Sequence, residues 1–139
     1  MTAWTVLADE LLPKRLQEFV HLIGLPATML MVERHGGLRI YIPAFPTQDH
    51  PFAELIGYDN FCALCAEYGM DGHGLRFELP RALRALNAVR NARIRSDYEG
   101  GKTVRLLAAE HKLTERHVTR IVADIEPKDE RQAVFDWQL

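Results

Sequence analysis

The strongest restriction on the fold of this chain is an internal repeat in its N-terminal half. Leu22-Ile23-Gly24 recurs as Leu55-Ile56-Gly57, and each triplet leads through an apolar segment to glycines, a short alternating run and a proline. The two alternating runs are Leu38–Ile42 and Leu75–Leu79. Because glycine readily ends a helix and proline cannot donate to a strand ladder, each copy is predicted to be a helix followed by a strand.

Alternation gives both predicted strands one apolar and one polar face. The residues expected on the apolar faces are Leu38, Ile40 and Ile42 in the first strand and Leu75, Phe77 and Leu79 in the second. Two strands of about five residues are not stable as an isolated sheet. They must pair with each other, with a second chain, or both, beneath the apolar helices. Residues 1–79 are therefore predicted to be an assembly or dimerisation region.

Positive charge is concentrated in one segment of the chain. Residues 1–79 carry 5 Lys/Arg and 10 Asp/Glu, residues 80–122 carry 10 and 4, and residues 123–139 carry 2 and 5. The middle segment thus has a net charge of +6 in a chain whose total is −2. This asymmetry favours a polyanionic partner. A solvated helix face on which like charges cluster by chance is the alternative.

Three helices are predicted in this basic segment. Pro80 suits the first turn of a helix, and Gly100-Gly101 would end that helix. Thr103 is expected to cap a second helix of about eight residues, and Thr114 a third. Residues 80–126 are assigned to this domain, and an acidic tail follows it at residues 127–139.

The second and third of these helices have the pattern of a helix-turn-helix unit. Their apolar positions follow helical spacing: Val104, Leu107, Ala108, Val118, Ile121, Val122 and Ile125. Ala108 is small, as close crossing of two helices requires, and Leu113 is expected to fill the turn between them. Two short capped helices joined by a tight turn place a recognition helix in the major groove of DNA. The alternative is a helical hairpin of an ordinary helix bundle. The predicted fold class is therefore mainly α with two short β-strands, comprising an N-terminal helix–strand repeat and a C-terminal helix-turn-helix domain.

The predicted DNA contacts lie on and beside the third helix. Arg116 and Arg120 are candidates for contacts to guanine, because a guanidinium can engage O6 and N7 together. Thr103 and Arg105 lie where a helix N-terminus meets a phosphate. The complete predicted set is Thr103, Arg105, Thr114, Glu115, Arg116, His117, Thr119 and Arg120. Less specific attraction is assigned to Arg81, Arg84, Arg90, Arg93, Arg95, Lys102 and Lys112.

These segments resemble the Mor transcriptional-activator family of phages and prophages. The resemblance is carried by Gly36–Pro43, Arg90–Arg95, Thr103–Ala108 and Leu113–Val122. It covers residues 50–125 well and extends more weakly back to about residue 11. It implies a dimerisation region followed by a helix-turn-helix that binds promoter DNA and helps to recruit RNA polymerase. The partners expected from it are double-stranded DNA, a second copy of the chain and RNA polymerase.

Two features depart from that family pattern. Lys112 occupies the turn position that usually holds glycine. The helix–strand unit is duplicated, so that the two strands could pair within one chain and imitate the pairing of a dimer.

Other classes of function have less support in the sequence. Cys62 and Cys65 form a C-x-x-C pair near His50 and His73, but a second close pair is missing, so small buried side chains are expected rather than zinc ligands. No nucleophile signature or glycine-rich phosphate loop is present, so neither an enzyme nor a cofactor is predicted. A protein-interaction module that kept the platform and lost DNA binding, such as an anti-activator, is the remaining alternative.

The sequence also predicts a cytoplasmic protein without a membrane partner. The N-terminus has no basic region of the kind that opens a secretory signal. The longest apolar stretch, Phe19–Val32, is 14 residues long and too short to span a bilayer. Two cysteines are too few for a disulfide framework.

Overall fold

The structure, a computed structural model, describes residues 3–69 and 72–125. The described residues form eight α-helices and a two-stranded antiparallel sheet, which confirms a mainly helical fold with two short strands. The elements are α1 (Ala3–Leu11), α2 (Lys14–Ile23), α3 (Leu25–His35), β1 (Arg39–Ile42), α4 (Pro51–Ile56), α5 (Tyr58–Tyr68), β2 (Leu75–Glu78), α6 (Leu83–Glu99), α7 (Val104–His111) and α8 (Glu115–Ile121). The predicted acidic tail at 127–139 lies outside the described residues.

The described residues divide into two compact units. One unit contains residues 8–86, and the other contains residues 3–7 together with residues 87–125. Among the helices described, none combines the length and the apolar character needed to cross a bilayer.

Single glycines join consecutive helices at two places in the first unit. Gly24 (φ 84°, ψ 164°) lies between α2 and α3, and Gly57 (φ 93°, ψ 149°) lies between α4 and α5. The Gly57 N–H donates to the Ala53 carbonyl at 2.9 Å, and the Gly57 carbonyl accepts from the Phe61 N–H at 3.0 Å. Gly24 makes the equivalent pair of bonds. Each glycine therefore ends one helix and begins the next, in a backbone region that is essentially restricted to glycine.

The core of the first unit is built around α2, α5 and the sheet. Phe19 of α2 is fully buried, and its ring lies 5.7 Å from that of Tyr68 and 6.2 Å from that of Phe77. Arg15 covers the Phe77 ring at 4.2 Å, and the Tyr68 hydroxyl donates to Glu18 at 2.8 Å. Together these contacts tie α2 to α5 and to β2.

The two strands pair with each other inside the chain. Their antiparallel register places Ile40 opposite Phe77 and Tyr41 opposite Arg76. Ile40 and Ile42 are buried, as predicted for one face of β1. Of the pairings that the sequence leaves open, the structure shows pairing of the two strands within one chain.

Leu38 was expected on the same apolar face, and that expectation is wrong. Leu38 is 56% exposed and precedes the strand. The Gly37 N–H donates to the Leu79 carbonyl at 2.7 Å, while the Leu79 N–H donates to the Leu38 carbonyl at 2.9 Å. Two residues therefore face one residue, which is the arrangement of a β-bulge, and a bulge breaks the alternation of side chains. On the other strand, Leu75 is also exposed, at 37%.

α6 begins three residues later than the sequence suggests. The prediction started this helix at Pro80, whereas the first helical residue is Leu83. Leu79 is still engaged with the sheet through both of its backbone groups, and a residue before proline favours extended backbone. Pro80 therefore follows the strand and does not start the helix.

Candidate nucleic-acid interface

In the second unit, residues 87–99 of α6 share one apolar core with α7 and α8. Its buried members are Ile94, Tyr98, Leu107, Ala108, Val118 and Val122, and Val104, Leu113, Ile121 and Ile125 pack against them. Every apolar position predicted for the last two helices is found in this cluster. α8 is shorter than the apolar pattern suggests because it ends at Ile121. Val122 and Ile125 reach the core from the turn that follows.

Threonine caps begin both short helices, as predicted. The Thr103 hydroxyl accepts from the Leu106 N–H at 3.1 Å, and the Thr114 hydroxyl accepts from the His117 N–H at 3.1 Å. Each cap satisfies one of the N–H groups that a helix start leaves without a partner. The caps therefore fix where α7 and α8 begin.

The turn between α7 and α8 depends on an unusual backbone conformation at Lys112. Its φ of 56° and ψ of 43° are left-handed, and it is the sole non-glycine residue with positive φ in the described chain. The N–H groups of Lys112 and Leu113 both donate to the Ala108 carbonyl. This is a Schellman-type helix end, with Leu113 packed back on the core. It redirects the chain from one helix to the next within three residues.

The predicted contact residues lie at the surface of this unit. All are exposed except His117, which is half-buried: Thr103, Arg105, Thr114, Glu115, Arg116, Thr119 and Arg120. Arg116, Thr119 and Arg120 have the spacing of one helix face. Val118 lies on the opposite side of α8 and is fully buried. The core therefore anchors α8 by one face while these three side chains project from another.

Part of the predicted basic surface is neutralised inside the unit. Arg93 lies 3.8 Å from Asp97, and Lys102 lies 3.1 Å from Glu110 and 3.6 Å from Asp97. Among the cations to which less specific attraction to DNA was assigned, three are in ion pairs: Arg93, Arg95 and Lys102. A fourth, Arg90, is largely buried. Sequence composition cannot separate paired from unpaired cations, because most of the carboxylate partners belong to other elements.

A smaller set of cations remains available to a ligand. The exposed cations of the second unit that form no ion pair with another described residue are Arg105, Lys112, Arg116 and Arg120. Residues 87–125 contain eight Lys/Arg and five Asp/Glu, which leaves a net charge of +3. The surplus therefore lies on α7, on α8 and on the turn between them.

His111 is a feature of this unit that sequence analysis did not single out. It is 8% exposed, and neither ring nitrogen has a hydrogen-bond partner within the described structure. Burial lowers its pKa below the usual value, and Arg93 lowers it further. His111 follows Glu110 at the end of α7, and nothing in this local sequence indicates that its side chain is buried.

The cysteine pair was expected to be buried, which is correct for Cys65 and wrong for Cys62, whose side chain is half-buried. Cys65 is buried, which raises the pKa of its thiol to about 11. His50 is engaged elsewhere, since its Nδ1 accepts from the Phe52 N–H at 3.0 Å and its ring stacks on Phe61 at 4.5 Å. In the part of the chain that is described, no group of three His, Cys, Asp or Glu side chains is placed to hold a metal ion.

A short capped helix pair with an exposed cationic helix face is an arrangement that DNA-binding proteins use. The family follows from comparison with known proteins. Residues 47–134 match the Mor transcription activator family, and since this is more than half of the sequence, the chain belongs to that family. Comparisons with curated proteins and with solved structures give no significant match.

Proposed function

We propose that this protein is a sequence-specific DNA-binding activator of phage- or prophage-type promoters that helps to recruit RNA polymerase. The observation that carries the proposal is the exposed face of α8, where Arg116, Thr119 and Arg120 project from a helix anchored by Val118. α7 and α8 are then a helix-turn-helix unit, and α8 is its recognition helix.

The exposed cations and the capped start of α7 have different roles in this complex. Arg116 and Arg120 contact base edges in the major groove, where a guanidinium distinguishes guanine by its two acceptors. Arg105 and the capped start of α7 at Thr103 meet a backbone phosphate, because the N-terminus of a helix carries partial positive charge. Lys112 adds attraction from the turn. Phosphate contacts position the protein, whereas base contacts specify the sequence.

Two copies of the chain are expected on each operator. One recognition helix per chain reads only a half-site, and dimers of such units bind half-sites about one helical turn apart. The first unit, with its paired strands and apolar helices, is the proposed platform for this assembly. A DNase footprint with two-fold symmetry is the expected result.

Arg116→Ala tests the base-reading role directly. Its discrimination at one base pair should fall by about 1–3 kcal/mol relative to the parent. Arg39→Ala removes the same type of side chain from an exposed position in the sheet and serves as the matched control. Binding to the footprinted duplex and to its single-base variants is measured by fluorescence anisotropy. Identical sequence preferences in parent and Arg116→Ala would contradict the assignment.

Salt dependence tests the electrostatic part. With three or four phosphates neutralised per chain, log K should fall by about 3 for each tenfold rise in salt. If the parent retards no duplex in a gel shift at moderate salt, the proposal fails. That result would favour the alternative of a protein-interaction module without DNA binding. One observation favours this alternative: Lys102 and Arg93 are paired with carboxylates inside the unit, so that fewer cations can attract DNA.

A further inference from the structure

Arg95 makes contacts that its place in a basic segment does not suggest. It belongs to α6, yet its guanidinium reaches the end of α8. Its Nη1 donates to the Ile121 carbonyl at 3.0 Å and to Asp124 Oδ1 at 2.6 Å, and its Nη2 donates to Asp124 Oδ2 at 3.0 Å. One side chain therefore binds the last residue of α8 and, in a bidentate manner, the turn beyond it.

These contacts lie at the C-terminal end of α8, a short helix that needs stabilising contacts. The helix has seven residues, which is too short for appreciable stability of its own. Its C-terminal carbonyls lack helical partners and carry partial negative charge. A guanidinium bonded to one of them satisfies that carbonyl and opposes the charge. The planar bidentate pair with Asp124 adds a fixed direction to the contact.

Apolar packing holds α8 along its length, including its C-terminal end at Ile121 and Val122, but apolar contacts are non-directional. Val118 is fully buried and anchors the middle of the helix, and Thr114 fixes its first turn. Arg95 supplies the polar contact at the opposite end. Recognition geometry must hold to roughly 0.5 Å and 10–20° for side chains to meet their targets, so restraint at both ends matters for Arg116 and Arg120.

We propose that Arg95 is a positioning residue of the DNA interface, holding the C-terminal end of α8 against α6 through Ile121 and Asp124. The inference rests on the proposed DNA-binding function. It reverses the assignment of Arg95 as a cation that attracts phosphate. Asp124 is then part of the interface support, although its negative charge alone would disfavour DNA.

The energetic signature should be a loss of specificity and not a loss of fold. The side chains of Arg95 and Asp124 are 38% and 71% exposed, and ion pairs at such positions contribute little to the free energy of unfolding. A change in the direction of α8 affects base contacts, whereas binding to random duplexes depends on charge and tolerates small displacements.

Asp124→Ala separates the two roles of Arg95, because they predict opposite results. If Arg95 were a phosphate contact, removal of Asp124 would free it, and both affinity and salt dependence would rise. If Arg95 positions α8, affinity for the footprinted duplex falls by about two- to fivefold, the range set by the contribution of an exposed ion pair. Affinity for a random duplex of equal length stays the same or rises slightly. Arg95→Ala should reduce the same specific-to-random ratio.

Two further measurements sharpen the comparison. The double variant Arg95→Ala/Asp124→Ala should lose no more specificity than the larger of the two single losses, because both remove one contact. The salt slope of Arg95→Ala should equal that of the parent, whereas Arg120→Ala, a proposed DNA contact, should reduce it by about 0.9. Circular dichroism at the assay temperature verifies that each variant is folded.

The outcomes distinguish this inference from the function on which it rests. Tighter specific binding by Asp124→Ala, or a reduced salt slope for Arg95→Ala, overturns the positioning role while leaving DNA binding intact. If the parent binds no duplex, the proposed function fails. The positioning role is then decided by residual dipolar couplings. These should show α8 reoriented relative to α6 by more than about 10° in Arg95→Ala, and an unchanged angle overturns the inference.

Discussion

His111 and Lys112, adjacent residues at the end of α7, both occupy unfavourable environments. His111 buries an imidazole whose two nitrogens lack hydrogen-bond partners among the described residues. Lys112 adopts a left-handed backbone that costs a non-glycine residue about 1–2 kcal/mol. The neighbouring Leu113 and Ala108 pack into the core on either side. Packing therefore imposes a conformation at this turn that local preference alone would not select.

Because His111 is buried, we expect the free energy of unfolding to depend on pH. Its folded pKa is lowered by burial, then by Arg93, so the unfolded chain binds the proton more readily. Stability is then fully present above the ordinary histidine pKa of about 6.5 and falls as the pH drops below that value. His111→Leu removes both the titration and the unsatisfied nitrogens. We expect this variant to be more stable at pH 5.5 and to lose less stability between pH 7.5 and 5.5, as measured by urea unfolding.

Other charged groups near His111 modify the size of this effect without changing its sign. Arg90 lowers its pKa, whereas Glu110 and Asp97 raise it. His35 also has a lowered pKa, through burial and then Arg34, so some dependence should persist in His111→Leu. His21→Gln, at an exposed histidine, is the matched control and should follow the parent. A pH profile of His111→Leu that coincides with the parent profile would exclude His111 as its source.

At the scale of elements, local signals were sufficient where one residue determines a boundary. Thr103 and Thr114 begin α7 and α8 because a hydroxyl supplies the missing acceptor beside the first turn. The start of α6 was missed because it depends on Leu79, whose sheet bonds come from Gly37 and Leu38 far away in sequence. Boundaries set by distant backbone pairing carry no local signature.

The candidate site shows the same limit. Arg116 and Arg120 were identified from helical spacing alone, because the apolar positions around them fix which face is exposed. The pairing of Arg95 with Asp124 was not predicted, because Asp124 lies 29 residues further along the chain. The net charge of a segment records the number of cations but not which of them bind a carboxylate within the fold.

The junction between α4 and α5 provides a test at this scale. Gly57 has a φ of 93°, and a Cβ built there meets no atom within 4 Å. Gly57→Ala therefore introduces backbone strain without a steric clash. We expect the free energy of unfolding to fall by about 1–3 kcal/mol, the usual cost of such a conformation. Urea denaturation followed by circular dichroism measures the change.

A second substitution calibrates that loss. Ala66→Gly makes the reverse change at an exposed position within α5 and should cost about 0.5–1 kcal/mol through helix propensity. Gly57→Ala should cost more than this control. A loss smaller than that of Ala66→Gly would mean that the α4–α5 junction relaxes to an ordinary backbone conformation.

For the molecule as a whole, the family match and the sheet cover different parts of the chain. The match begins at residue 47 and so includes β2 but not β1. β2 nevertheless has its partner strand within the same chain. The N-terminal segment outside the match therefore completes the sheet, which is the physical consequence of having two helix–strand segments in one sequence.

Closure of the sheet within one chain can be tested by a designed disulfide. Tyr41 and Arg76 are directly opposite in the register. The Leu38–Leu79 pair, three positions away along the ladder, is hydrogen-bonded through the Leu79 N–H. Because hydrogen-bonded and non-hydrogen-bonded pairs alternate, the Tyr41–Arg76 pair is a non-hydrogen-bonded one. The Cα atoms of such pairs lie about 4.5 Å apart, within the range of about 4.4–6.8 Å that disulfides require.

Tyr41→Cys/Arg76→Cys, in a background with Cys62→Ser and Cys65→Ala, should oxidise to an intrachain disulfide. Nonreducing electrophoresis should show a monomer, and the intact mass should fall by the two hydrogens lost when the bond forms. The yield should not depend on protein concentration, because both cysteines belong to one chain. Tyr41→Cys alone should remain reduced in dilute solution. If the double variant instead gave a disulfide-linked dimer, β1 would pair with β2 of a second copy. The protein would then be an exchanged dimer, and the sheet would join two chains where the structure places it within one.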